Sequence, residues 1–206
     1  MDFYDAVRAR RTVRDFQEYD LPQETLERIL DAGLRAPSNN HLRQWEFIVI
    51  RDRVRKQQVL ERAGQYAATD GLHLGSAFPD GSLQQKMYAD AGPKQYTMLL
   101  DSACLILPVF KAAPAFFHPV AIHSYNSLAA VWCCIENILL AAAAEGLGCA
   151  LRIPVGDEGK FLHSELDLPE GYIAPCYLGI GLPAEDAVRP AQVPVSVRAK
   201  LHTDRW

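Results

Sequence analysis

Several common signatures are missing from this 206-residue chain. It has no GxGxxG turn, no Walker loop, no GxSxG elbow and no HExxH pair, which argues against a Rossmann dinucleotide site, a P-loop NTPase, an α/β-hydrolase and a zinc protease. Its five cysteines are odd in number, form no CxxC pair and sit in apolar runs. They read as buried thiols of a reducing compartment, with neither a disulfide frame nor a metal site. There is little charge of one sign to spare: 21 Lys and Arg face 25 Asp and Glu, a formal net charge of −4. Nucleic acids and anionic membranes are therefore poor partners, because their binding needs a basic surface. No apolar segment resembles a signal peptide. The longest one, Ser127 to Ala144, carries Glu136 and Asn137 at its centre, so it predicts a buried helix and not a membrane span. The expectation is a cytoplasmic protein.

Periodicity gives a coarse map. Helices are predicted for Asp2 to Ala9, where Phe3, Ala6 and Val7 share a face, and for the segment after Pro22, where Leu26, Ile29, Leu30 and Leu34 do. Pro37 to Asn40 reads as a loop and Glu46 to Ile50 as a strand. Asp52 is placed to cap a helix reaching about Ala63. Residues Thr69 to Pro93 look least regular and fit a mobile excursion or lid. Ala103 to Phe110 predicts a fully buried strand, followed by a long helix capped by Asn126 or Ser127 and stopped at Gly146-Leu147-Gly148. Strands near Cys149 to Ile153 and Tyr172 to Gly181 flank a short helix at Glu158 to Leu166. The order implies an α+β sheet covered by helices. The Pro- and Val-rich end, from Leu182 on, would pack poorly alone and is expected to wrap a neighbour.

Three segments carry chemistry. Four arginines fall within Arg8 to Arg14; such a cluster repels itself unless acids or a bound anion neutralise it, and arginine binds phosphate as a fork. Asp2, Asp5 and Asp15 offer the plainer alternative of a solvated, paired face. The second segment, Ala36 to Phe47, sets hydrogen-bonding side chains between a helix and a strand, as a ligand loop or simply a helix-ending turn. The third, Gly146 to Pro154, allows close backbone approach, and Arg152 inside its apolar strand requires a partner.

Together these segments resemble the nitroreductase family of flavin mononucleotide (FMN) enzymes. The resemblance rests on Arg10-Arg11-Thr12-x-Arg14-x-Phe16, on Ala36-Pro37-Ser38-Asn39-Asn40-His41 with Trp45 and Phe47, and on the Ala-rich helix ending Glu145-Gly146-Leu147-Gly148. Leu168-Pro169-Glu170-Gly171-Tyr172, Gly179-Ile180-Gly181-Leu182-Pro183 and the closing His202-x-x-x-Trp206 extend it over nearly the whole chain. It implies one domain over residues 1–206. The expected fold is α+β, a three-layer sandwich whose central, mostly antiparallel sheet is flanked by helices, in an intertwined homodimer with residues from about 183 to 206 wrapping the partner. FMN would sit at the interface. Arg10, Arg11, Thr12 and Arg14 match the positions around its phosphate and ribityl chain; Pro37, Ser38, Asn39 and His41 match the loop that the partner lays on the ring. Leu151, Arg152 and Ile153 match the segment whose amides face the ring.

Departures fall where the family loop usually reads Asn-x-Gln-Pro-Trp: here it is His41-Leu42-Arg43-Gln44-Trp45. Arg43 brings an extra positive charge and points to an acidic or electron-rich ligand. A late basic residue expected near Val193 is absent, leaving Arg189 and Arg198 as candidates for the phosphate. Arg14 or Arg152 would supply positive charge beside the ring. His41, His118 and His123 are weak proton-donor candidates, and Met87, Tyr88, Tyr96, Phe116 and Phe117 fall where lid and channel residues would. The implied activity is ping-pong electron transfer from NADH or NADPH, through FMN, to a nitroaromatic, quinone or activated alkene. Alternatives are a flavin-dependent reductive dehalogenase, oxidative cleavage of the flavin itself, or a flavin-binding protein without turnover.

Overall fold

A computed structural model describes residues 1–206, the side chain of Leu72 excepted. The helices before the first strand are α1 (Phe3–Ala9) and α2 (Gln23–Leu34); then come β1 (Trp45–Ile50), α3 (Arg53–Val59), α4 (Glu61–Thr69), α5 (Leu83–Ala91) and α6 (Thr97–Leu100). β2 (Cys104–Lys111), α7 (Pro114–Phe117) and α8 (Asn126–Ala144) precede β3 (Gly148–Arg152), α9 (Glu158–Glu165), β4 (Tyr172–Ile173) and β5 (Tyr177–Gly181). The sheet runs β1-β2-β5-β3, with every pairing antiparallel and β4 attached to the end of β2.

β2 explains the layering. Its side chains alternate across the sheet. Cys104, Ile106 and Phe110 join Leu26, Ile29, Ile135 and Ile138 of α2 and α8 in one core. Leu105, Leu107 and Val109 join Val59, Leu60, Leu99 and Leu162 in the other. Helices thus cover both faces, giving the α+β three-layer sandwich. α8 packs its Val131, Cys134, Ile135 and Ile138 side into the first core. Glu136 is explained by its exposure: it faces out and meets Arg10 at 3.6 Å. The helix stops in a Schellman turn, in which Leu147 N–H donates to Ala142 and Gly146 N–H to Ala143, with Gly146 at φ +78°.

Several expectations need correction. The helix begun by Asp52, whose carboxylate accepts from Arg55 N–H, breaks at Leu60 and resumes as α4. Residues 69–93 contain α5, capped by Ser82 and tied to the preceding turns by stacking of Phe78 on Tyr88. Neither Asn126 nor Ser127 caps α8; both lie inside it, because a 3-10 turn from Ile122 to Tyr125 feeds straight into its first turn. The expected strand Tyr172 to Gly181 splits into β4 and β5 around Pro175, which has no N–H to give a ladder. Leu34, on the expected apolar face of α2, is exposed.

Segment 12–17 runs along the sheet margin. Val13 N–H donates to Cys149, Gln17 N–H to Leu182, and Ala184 N–H to Asp15. Gly148 makes this possible, since a Cβ there would lie 2.7 Å from Val13 Cβ. Gly148→Ala should therefore destabilise the fold by about 1–3 kcal/mol through overpacking, read as a lower urea midpoint.

The cysteines are buried except Cys133 on α8. Burial pushes the Cys104 thiol up to about 11 and those of Cys134, Cys149 and Cys176 up to about 12. Native protein at pH 8 should titrate at most one thiol with Ellman's reagent, and unfolded protein five.

Candidate functional site

The arginine cluster lines a cavity of about 450 Å³. Arg10, Arg11, Thr12 and Arg14 form one wall, α5 contributes Gln84 and Met87, and the late segment around Val193 closes the rest. Segment 10–14 can do this because its backbone is clamped to β3, which frees its side chains.

Arg14 is the unusual member. Its side chain is only 10% exposed, and its Nε and Nη1 are buried without a hydrogen-bond partner. Asp90 of α5 stands 3.7 Å away, an ion pair too long for a hydrogen bond, and its Oδ2 is also unpartnered. Desolvation lowers the Arg14 pKa, and Asp90 opposes that. Lys94 bridges Asp90 and Asp15 at 2.6 and 2.8 Å. Desolvation pulls the ammonium down, but these two hydrogen bonds outweigh it and its pKa is raised. Asp90 and Lys94, four residues apart, were missed in the sequence; their spacing as an i,i+4 pair was the available signal. Arg8 stays outside, paired with Asp5.

The other expected residues lie elsewhere. Ser38, Asn39 and Arg43 line a separate cavity, with Trp45 and Lys111. Pro37 and His41 are exposed and line neither cavity. Asn40, His41 and Arg43 have φ of +52°, +55° and +43°, a strained loop conformation closed by Arg43 N–H donating to Ser38 Oγ at 3.1 Å. Arg189 borders a smaller cavity beside Arg10 and Arg11, whereas Arg198 lies in the exposed tail. Among the lid candidates, Met87 reaches the arginine cavity, while Phe116 packs edge-on against Phe110. His118 is exposed and His123 lines the Trp45 cavity.

Arg152 requires a correction. Its guanidinium is buried and forked onto Glu158, which also accepts from Tyr177 Oη at 3.2 Å. It stacks over Tyr66 as well, 5.0 Å from the ring centroid. A charge neutralised in this way is no free cation for a ligand; Leu151 and Ile153 flank it as half-buried and exposed positions on β3 and just beyond.

A clamped arginine wall and an under-bonded buried guanidinium thus meet in one cavity. The family model described as "Nitroreductase family" matches residues 7–182. The chain belongs to the nitroreductase family. The iodotyrosine deiodinase of Nematostella vectensis is 27% identical over 92% of this chain and 70% of that protein. Protein DrgA of Synechocystis is 26% identical over 91% and 87%. Among solved structures, an oxidised iodotyrosine deiodinase bound to FMN and 3-iodo-L-tyrosine superposes with a TM-score of 0.76 at 21% identity over the whole of both chains. The Bacteroides fragilis nitroreductase with bound FMN gives 0.68 at 20% identity, covering 95% and 96%.

The Arg152 pair is a structural element of this nitroreductase-family chain. Arg152→Met alone should cost about 3–5 kcal/mol by stranding Glu158, and Arg152→Met with Glu158→Gln should recover most of it; equilibrium urea unfolding of the two variants checks this.

Proposed function

We propose that the protein is an FMN-dependent oxidoreductase of a single domain, residues 1–206, working in the cytoplasm as a homodimer. The observation that carries this reading is Arg14, a nine-tenths buried cation with two unfilled N–H groups in a cavity it shares with Arg10, Arg11 and Thr12. A phosphate on a ribityl chain fits that chemistry: it supplies forked acceptors and negative charge where desolvation is otherwise uncompensated. Arg11 has no carboxylate partner among the described residues, so its charge is available too. Arg189 is the nearer of the two late candidates. Leu151 to Ile153 would meet the ring through their backbone only.

FMN, when bound, would pass electrons from NADH or NADPH to an electron-poor organic acceptor (a nitroaromatic, quinone or activated alkene) in a ping-pong cycle. The chain's part is to anchor the phosphate, exclude water through α5 and Met87, and leave one face of the ring open.

Three features support the dimer. Residues 191–206 are exposed throughout, including Val195, Val197 and Trp206. β1 pairs on one side only, leaving an aliphatic edge. α8 keeps Ala129 and Cys133 in solvent beside its paired Glu136. A partner would cover these surfaces and bring its Pro37–Arg43 loop to the flavin. A second reading, reductive dehalogenation, is favoured by the deiodinase relatives.

The purified protein should be yellow or become so with FMN, and anaerobic NADH or NADPH should bleach it. A colourless protein that ignores FMN overturns the proposal; bound FMN that neither nucleotide reduces would mean a binding protein. Arg14→Met should weaken FMN binding at least about tenfold, measured by quenching of flavin fluorescence. Deleting residues 196–206, beyond the stretch that lines the arginine cavity, should shift the native mass from dimer to monomer.

A further inference from the structure

The cavity beside Trp45 is not explained by the arginine site. It measures about 240 Å³ and is bounded within the one chain. Its floor is a cross-strand pair, Trp45 opposite Phe110. One wall is the first turn of α8, which contributes Asn126, Ser127 and Ala130. Two polar atoms of lining residues are buried without partners: Trp45 Nε1, on a side chain whose residue is 5% exposed, and Ser127 Oγ. A buried indole N–H normally has an acceptor, and here none exists among the described residues.

The rim is cationic. Arg43, Lys111 and His123 line the cavity and no carboxylate does. Arg43 and Lys111 take part in no ion pair among the described residues. Arg43 is also held in place: its left-handed backbone and its N–H bond to Ser38 Oγ fix where the side chain starts. The structure therefore retains strain in a loop whose result is an unpaired arginine at the mouth of an apolar pocket.

We infer that this cavity binds a small aromatic carboxylate. The ring lies on Trp45 and Phe110, an acceptor on the ring meets the Trp45 N–H, and the carboxylate faces Arg43 and Lys111. The volume, below the roughly 300–1,000 Å³ of drug-sized sites, suits a single ring. The inference does not rest on the flavin reading, because none of Arg10, Arg11, Thr12 and Arg14 lines this cavity; Ser38, Asn39, Leu42 and Arg43 belong to the loop that would also reach a partner's flavin.

The test is calorimetric titration of the full chain with 4-hydroxybenzoate, with and without saturating FMN, beside the neutral 4-hydroxybenzamide. The acid should bind once per chain in both states, and the amide at least about tenfold more weakly, as expected for loss of a charge-assisted contact. Arg43→Gln with Lys111→Gln, both at exposed positions, should erase the difference between acid and amide. The indole N–H resonance that disappears in Trp45→Phe should shift on titration. Absence of saturable binding at millimolar acid, equal binding of acid and amide, an unchanged preference in the double variant, or displacement of the acid by FMN would each overturn the inference. Failure of FMN to bind, with 4-hydroxybenzoate still bound, would remove the flavin reading and leave this one standing.

Discussion

The contact between segment 12–17 and the sheet margin sets the geometry on which the arginine site depends. Val13 donates to Cys149 across a gap that only a hydrogen at position 148 leaves open. With the backbone fixed there, Arg10, Arg11 and Arg14 cannot spread into solvent to relieve their repulsion, as a mobile terminus would allow. Their neutralisation must come from the structure or from a ligand. Arg10 meets Glu136 only at 3.6 Å, and Arg14 meets Asp90 at 3.7 Å. Lys94 draws on the same Asp90 at 2.6 Å, so the stronger share of that carboxylate goes to the lysine. What remains is a local cation excess inside a chain whose net charge is −4. The whole-chain sum argues against broad polyanion binding and conceals this local excess, which suits the small anion proposed for it.

The two buried arginines show how differently the same residue can be used. Arg152 has a forked carboxylate, a tyrosine hydroxyl sharing that carboxylate, and two aromatic faces within 6 Å. Arg14 has one distant carboxylate and two empty N–H positions. Burial costs both of them solvation, but only Arg152 has a carboxylate in hydrogen-bond contact, with its Nε alone left unpartnered. The carboxylate-paired arginine holds β3 to α9; the one without such a pair is where a ligand would gain most.

Much of this was legible in the sequence. β2, α8 and the Gly146 stop follow from apolar run length and one glycine, and the ordered motifs matched the family that the comparison then gave. What was hidden depended on pairing at a distance or on local competition. α5 lies among Gly, Asp and Ser turn residues with little apolar periodicity, so its helix is revealed only by Ser82 capping and by Asp90 reaching Arg14. The fate of Arg152 depended on Glu158, six residues on and past a turn, which no helical or strand spacing pairs. Pro175 in a buried run was a visible break between β4 and β5 that the run's hydrophobicity masked.

The separation of Arg10–Arg14 from Ser38–Arg43 was the least legible feature, and it follows from chain geometry. Both segments border α8 or the sheet, yet they line different cavities. If one chain held the whole flavin site, the two motifs would have to share a wall. A two-fold dimer removes the conflict, since each chain then supplies the arginine wall of one site and the loop of the other. The same arrangement gives the exposed tail and the free edge of β1 a physical purpose: apolar side chains such as Val195 and Leu201, 72% and 69% exposed in the single chain, would lose their contact with water, and an open row of backbone donors and acceptors would lie under a neighbour. In the proposed dimer an intertwined tail would also make the folded state concentration-dependent, so flavin affinity and subunit association would rise and fall together.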